Sequence, residues 1–233
     1  MVKFNEWEPI YTEILAYFSF DRAADEKAAR ILSSLTSSYN TKDALLKAQA
    51  SIEQADEVIV CGNAPNLIDD WHRIQKNSQL IQEGENKEKL KHTVVIAADG
   101  AALVLYAHGI VPDIIVTDLD GIDDTALSLN EMGTILVIHA HGDNIPLLLS
   151  FVPRCTGPII CTTQAKPFGH IYNFGGFSDG DRAVFFAHAL RAPRVTPRVT
   201  LCGFDLDDRE VTPIKHGKLM WARKLLKMLG YDI

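Results

Sequence analysis

The chain has 233 residues, 47% of them hydrophobic and 23% charged, and a formal net charge of −7 from 30 acidic and 23 basic residues. This length buries a sizeable core in one large α/β domain or two small ones, and the acidic balance disfavours wide binding along a nucleic-acid backbone, which needs a basic surface. No apolar run approaches the ~20 residues of a membrane span, and "MVKFNEWEPIYTEIL" is acidic and amphipathic rather than a basic start before an apolar block, so a cytoplasmic protein without a signal peptide is expected.

In chain order, residues 6 to about 55 read as helical. "WEPIYTEILAYF" places Ile10, Ile14, Leu15 and Phe18 at helical spacing, with Pro9 expected in the first turn. Asp21 is the expected cap of "RAADEKAARILSSL" and Thr41 that of "KDALLKAQASIEQA". Residues 1–55 are thus expected to form a helical N-terminal subdomain without evident chemistry, and residues 56–233 an α/β catalytic domain.

From residue 57 short apolar runs recur: "EVIVC" (57–61), "TVVIAA" (93–98), "DIIVT" (113–117), "TILVIH" (134–139), "PIICTT" (158–163) and "RVTLCG" (198–203). Most are apolar on consecutive positions, as in strands covered on both faces. Helical stretches such as "GAALVLYAHG" and "DRAVFFAHALR" separate several of them, and "KHGKLMWARKLLKMLG" closes the chain as an amphipathic helix. This alternation predicts an α/β fold: a doubly wound, mainly parallel sheet of about six strands. "QEGENKEKLK" (82–91) reads as a solvated connection, and the first half of the tandem "PRVTPRVT" (193–200) as loop. Cys61, Cys155, Cys161 and Cys202 lack CxxC spacing, and buried reduced thiols are expected rather than a zinc site.

Ligands of open parallel sheets bind beyond the carboxyl ends of the strands. Here those ends read "CGNAPN", "AADGA", "TDLDG", "HAHGDN", "TTQAK" and "CGFDLDD", so Asp99, Asp118, Asp120, Asp143 and Asp205 closely follow apolar strands. An acidic edge of that density needs a cation, and Mg²⁺ suits carboxylate oxygens better than zinc does. In extended chain, Asp118 and Asp120 would face one ion together, with Gly121 letting the backbone turn away or approach a phosphate. Asp123 and Asp124 suit capping of the next helix.

"VCGNAPNL" offers Gly62, Asn63, Pro65 and Asn66 at a strand–turn–helix junction, a layout that can present N–H groups to an anion. "TTQAKPFGH" supplies Gln164, Lys166 and His170, and "NFGGFSDGDRA" joins a Gly-Gly hinge to Asp179, Asp181 and Arg182 at a helix start. His139 and His141 are open to several roles: general base, partner to a functional group, metal ligand or structural histidine.

As an ordered set, "AADGA", "PDIIVTDLDG", "HAHGDN", "TTQ", "NFGGFSDGDRA" and "LCGFDLDD" resemble the archaeal 6-hydroxymethyl-7,8-dihydropterin diphosphokinases, a family similar in fold to thiamin diphosphokinases. The resemblance covers roughly residues 57 to 220. The wider thiamin kinase pattern maps onto Asp99, Asp118 with Asp120, and Asp179 with Asp181; Thr117 and Gly121 depart from it in favour of the pterin branch. The resemblance implies diphosphoryl transfer from ATP to the hydroxymethyl oxygen of a reduced pterin, with release of AMP, in tetrahydromethanopterin synthesis. On that reading Asp118 and Asp120 hold Mg²⁺, with Asp99 and Asp143 completing its shell. Asp181, Arg182, Lys166 and Lys215 then serve the triphosphate, as would Gly62, Asn63, Pro65, Asn66 and Gln164. Asn173, Phe174 and His141 are the expected pterin contacts. The expected partners are ATP and pterin, with a homodimer also open and neither nucleic acid nor membrane.

Two rivals use the same residues. "VTDLDGID" imitates the nucleophile motif of haloacid-dehalogenase phosphatases, although it closes the third apolar run rather than the first, and a DxD pair also holds metal in some glycosyltransferases. A module that binds ATP without transferring it is the non-enzyme reading.

Overall fold

The computed structural model describes residues 3–84, 92–191 and 198–233. Most of the polar connection (85–91) and the first PRVT copy therefore lie outside the described residues.

The N-terminal helices follow their apolar periodicity. Helix α1 (Phe4–Phe18) buries Trp7, Tyr11, Ile14 and Leu15; it starts early enough that Pro9 lies inside it rather than in its first turn. Helix α2 (Arg22–Leu35) is capped by Asp21, whose carboxylate accepts the Ala23 N–H. Helix α3 (Thr41–Gln54) is capped by Asn40, not Thr41: the Asn40 side chain reaches the Asp43 N–H, while Thr41 is the first helical residue and is buried.

The strands are β1 (Glu57–Cys61), β2 (Thr93–Ala98), β3 (Ile114–Thr117), β4 (Ile135–Ala140), β5 (Ile159–Thr163), β6 (Ile171–Tyr172) and β7 (Arg198–Cys202). They form one seven-stranded sheet, order β6-β5-β4-β3-β2-β1-β7, in which every pairing is parallel. The count exceeds the expected six by β6, a two-residue edge strand.

Between strands run α4 (Leu67–Gly84), α5 (Ala101–Ala107), α6 (Asp124–Glu131), α7 (Ile145–Phe151) and α8 (Asp179–Ala189), and α9 (Pro213–Met228) follows β7. Successive strand residues point to opposite faces. Ile59, Cys61, Ala97, Ile115 and Ile138 pack with α2 and α4–α7 on one face. Val58, Val60, Ile96, Val116 and Val137 pack with α3, α8 and Leu226 of α9 on the other. Both faces are covered, which explains the unbroken apolar runs. A third core joins Trp7 and Tyr11 of α1 to Phe185 of α8 and to Trp221 and Leu225 of α9. Among the described residues, no helix is long and apolar enough to cross a membrane.

From β1 to β6 the chain steps in one direction across the sheet, and β7 then returns to the free side of β1. The loop after β1 leads to α4 on one face and the loop after β7 to α9 on the other. Where two such loops part, a crevice opens beyond the carboxyl ends of the strands.

Candidate active site

Three carboxylates from separate strand and helix ends meet beside that crevice. Asp99 follows β2, Asp118 follows β3, Asp179 opens α8, and each offers an oxygen within 4.8 Å of the others. Two left-handed backbone residues shape this meeting: Asp99 has φ 48° and Leu119 has φ 79°. Both are unfavourable for a side chain with a Cβ, and strain of this kind is held in place only by its surroundings. Asp99 is fixed by Thr117, whose hydroxyl donates to it at 2.6 Å, and by the Gly121 N–H at 3.3 Å. A Cβ on Gly121 would overlap the Asp99 carboxylate.

Asp118 is buried and accepts from His141 Nε2 at 3.2 Å. His141 Nδ1 accepts the Asp143 N–H, so the imidazole proton sits on Nε2 and points at Asp118. Asn144, also buried, donates to the backbone oxygens of Asp118 and His139 at 2.8 and 2.7 Å and ties the ends of β3 and β4 together. Arg182, buried below the cluster, donates to Asp179 Oδ1 at 3.2 Å.

The electrostatics are uneven. Burial pushes Asp99 and Asp179 up, and the Asp118 charge adds to both. Burial also opposes ionisation of Asp118, but the His141 hydrogen bond and the Arg182 charge outweigh it and hold that carboxyl well below the usual range. Burial and the Asp118 charge push Asp120 up to about 6. Carboxylates crowded in this way repel one another and are stabilised together by a bound cation.

The cluster forms one wall of a cavity of about 590 Å³. Gly62–Pro65 of the β1 loop and Gly203–Asp208 of the β7 loop line its floor and far side, at the point where those loops part. The two loops touch: a Cβ on Gly203, whose φ is 68°, would come within 2.6 Å of the Gly62 oxygen. Its lining mixes apolar side chains (Phe204, Leu206, Ile214, Leu219, Ala222) with carboxylates and with Lys215 and Lys218 of α9. Such a mixed lining suits a ligand that carries both an apolar ring and charged groups.

The family model described as "6-hydroxymethylpterin diphosphokinase MptE-like" matches residues 30–211. The chain belongs to this family. Curated relatives named 6-hydroxymethyl-7,8-dihydropterin pyrophosphokinase are similar to it over three quarters or more of their length. The protein of Methanothermobacter thermautotrophicus is 36% identical, covering 96% of this chain and 93% of the relative. That of Pyrococcus furiosus is 34% identical over 98% and 94% respectively, and that of Methanocaldococcus jannaschii 33% over 82% and 76%.

Within this MptE-like chain, the residues singled out in the sequence fall into separate groups. Asp99 and Asp118 meet, but their third partner is Asp179, not Asp120 or Asp143. Asp120 stays beside them despite the left-handed Leu119: it is more exposed, on the cavity wall, and its carboxyl still meets that of Asp118. Asp143 lines a different cavity. Asp181 is fully buried, and its carboxylate is occupied as a helix cap, accepting from the Phe177 and Ser178 N–H groups and the Ser178 hydroxyl.

Gly62, Asn63, Pro65 and Lys215 line the large cavity, but the Gly62 N–H already donates to Cys202 O, so that amide is not offered to an anion. Asn66 and Lys166 line neither cavity: Asn66 donates to Asp70, and Lys166 is exposed. Gln164 and Arg182 lie behind the cluster and line the second cavity, not the large one. Asn173 clamps the Gln164 and Ala165 oxygens, and Phe174 is a core ring packed on Tyr172 and Phe186, so neither is brought to the rim.

Two contributors carried no expectation. Lys218 lines both cavities and sits one helical turn from Lys215, a spacing legible in "KHGKL". The helix α2 residue Asp25 is buried and accepts from Tyr11 Oη, Gln164 Nε2 and the Gly142 N–H at 2.6, 2.8 and 2.9 Å. Gln164 Oε1 in turn faces Arg182 at 3.5 Å. The N-terminal helices are thereby wired to the arginine beneath the cluster.

Proposed function

We propose that the protein is a cytoplasmic diphosphokinase that transfers the terminal diphosphoryl group of ATP to the hydroxymethyl oxygen of 6-hydroxymethyl-7,8-dihydropterin, a step in tetrahydromethanopterin synthesis. The family and the names of its relatives support the substrate pair. The observation that carries the chemistry is the convergence of Asp99, Asp118 and Asp179 on a cavity lined by both apolar and charged side chains.

The donor set fits a hard divalent ion such as Mg²⁺: it consists of oxygens alone, gathered from three parts of the chain. When bound, Mg²⁺ would offset charge on the phosphate oxygens and leave the middle phosphorus open to attack. Phe204, Leu206 and Ile214 seat the adenine end, while Lys215 and Lys218 follow the triphosphate along α9. His141 and Arg182 keep Asp118 ionised, and Asn144 holds its backbone.

In the transfer, the acceptor oxygen bonds to the β-phosphorus and the bond from that phosphorus to the α–β bridging oxygen breaks. AMP leaves with the bridging oxygen, and the hydroxyl proton is released to water. The chain's contribution is positioning and electrostatics.

The test is product analysis with purified protein, MgATP and 6-hydroxymethyl-7,8-dihydropterin. The expected result is AMP and the pterin diphosphate in equal amounts. Release of inorganic phosphate, or ATP binding without consumption, would overturn the assignment.

A further inference from the structure

Behind the carboxylates lies a second cavity of about 300 Å³. It shares Asp118, Ser178, Asp179 and Lys218 with the nucleotide-sized cavity, so the cluster is a partition with a space on each side. The far side is built by the turn between α1 and α2, by the turn after β4 and by Phe177. In-line transfer at phosphorus requires the attacking oxygen to arrive opposite the leaving group. Two cavities meeting at one charged wall provide that arrangement: donor on one side, acceptor on the other.

The chemistry of the second cavity suits a flat, nitrogen-rich ring. Phe20, 37% exposed, presents aromatic surface to it, and the buried Phe177 backs that ring with centroids 6.4 Å apart. Of its carboxylates outside the partition, Asp25 is saturated by Tyr11, Gln164 and Gly142, and Asp21 is engaged at the Ala23 N–H. Asp143 is exposed, and its carboxylate has no hydrogen-bond partner among the described residues. A free carboxylate accepts two parallel N–H bonds from an edge that carries adjacent ring N–H and amino donors.

We propose that this second cavity is the acceptor seat. A two-ring aminopyrimidinone stacks against Phe20, donates its amino edge to Asp143 and directs its hydroxymethyl arm to the partition, where Lys218 meets the incoming phosphate. This rests on the diphosphokinase reading and assigns the specificity of that site to the N-terminal helices and the β4 turn.

The deciding experiment reads pterin binding directly, by the quenching of its intrinsic fluorescence, with the wild-type protein and the Phe20→Ala and Asp143→Asn variants. Binding of a non-hydrolysable ATP analogue is measured beside it. Each variant is expected to weaken pterin binding about tenfold or more, with affinity for the ATP analogue within about twofold of wild type. Asp143 is a surface residue, so its variant guards against a folding defect in the other. Unchanged pterin affinity in both variants, or parallel loss of ATP affinity, overturns the seat. Because binding needs no turnover, failure of the seat is distinguishable from failure of the reaction: AMP formed by the wild type with unaltered variants keeps the function and relocates the acceptor.

Discussion

The protein buries carboxylates in two neighbouring places, and it treats them differently. Asp25 in α2 is almost fully enclosed, yet three donors satisfy it, and it serves as a structural joint between α1, α2 and the turn after β4. Asp99, Asp118 and Asp179 lie close together with too few donors among them, and two of the three are pushed toward the neutral form. Burial alone therefore does not mark chemistry. What distinguishes the cluster is the lone pairs left without partners, aimed at one another across a space that an ion can fill.

The largest expected effect separates the two places directly. Asp179→Asn should lower turnover more than about a hundredfold, while Tm stays level or rises because one repelling charge is gone. Millimolar Mg²⁺ should raise the Tm of the wild type and not of this variant, as read by differential scanning fluorimetry. A variant that keeps full activity would remove Asp179 from the cluster's work.

Next in size is His141→Ala. Without the imidazole that keeps Asp118 ionised, activity should fall between about tenfold and a hundredfold, and half-maximal activity should need more Mg²⁺; a titration of rate against metal checks both. Asp25→Asn should behave in the opposite sense to Asp179→Asn. It places an N–H₂ among donors and should cost about 2 kcal/mol, a fall in Tm of roughly 4–8 °C. Its loss of activity should be the smaller of the two.

The smallest effect lies away from both places. Burial and the Arg191 charge hold His188 down to about 4, with its Nε2 2.9 Å from the Tyr231 hydroxyl. The folded protein keeps this ring neutral, while the unfolded chain takes up a proton below the ordinary value of about 6.5. Stability is therefore complete above that value and declines as the pH falls toward about 4. His188→Gln should flatten part of the decline in a Tm-against-pH series. Buried His139, also pushed well down, supplies a remainder.

Much of the scaffold is legible before folding because consecutive apolar residues admit few alternatives to a doubly covered strand. The six runs all became strands, whereas β6 is two residues in "HIYN" and offers no run to detect. The site is legible in part. Asp99 and Asp118 follow directly from the strand-end rule. The choice of Asp179 over Asp181 has a local signal: Ser178 and Asp181 stand at capping-box spacing, which occupies Asp181 and not Asp179. No local pattern announces the left-handed Leu119, nor the contact between Asp25 and Gly142, which are far apart in the chain. Tertiary packing decides both.

Helix α1 ties the rim of the site to a distant part of the chain. Its Trp7 indole donates to the Gln164 oxygen, and its apolar stripe rests on α8 and on Trp221 and Leu225 of α9. Helix α1 therefore finds its full bed only when α9 is folded beside it. Phe18 and Phe177 of that core pack around Phe20, so anything that loosens α9 also loosens this side of the rim.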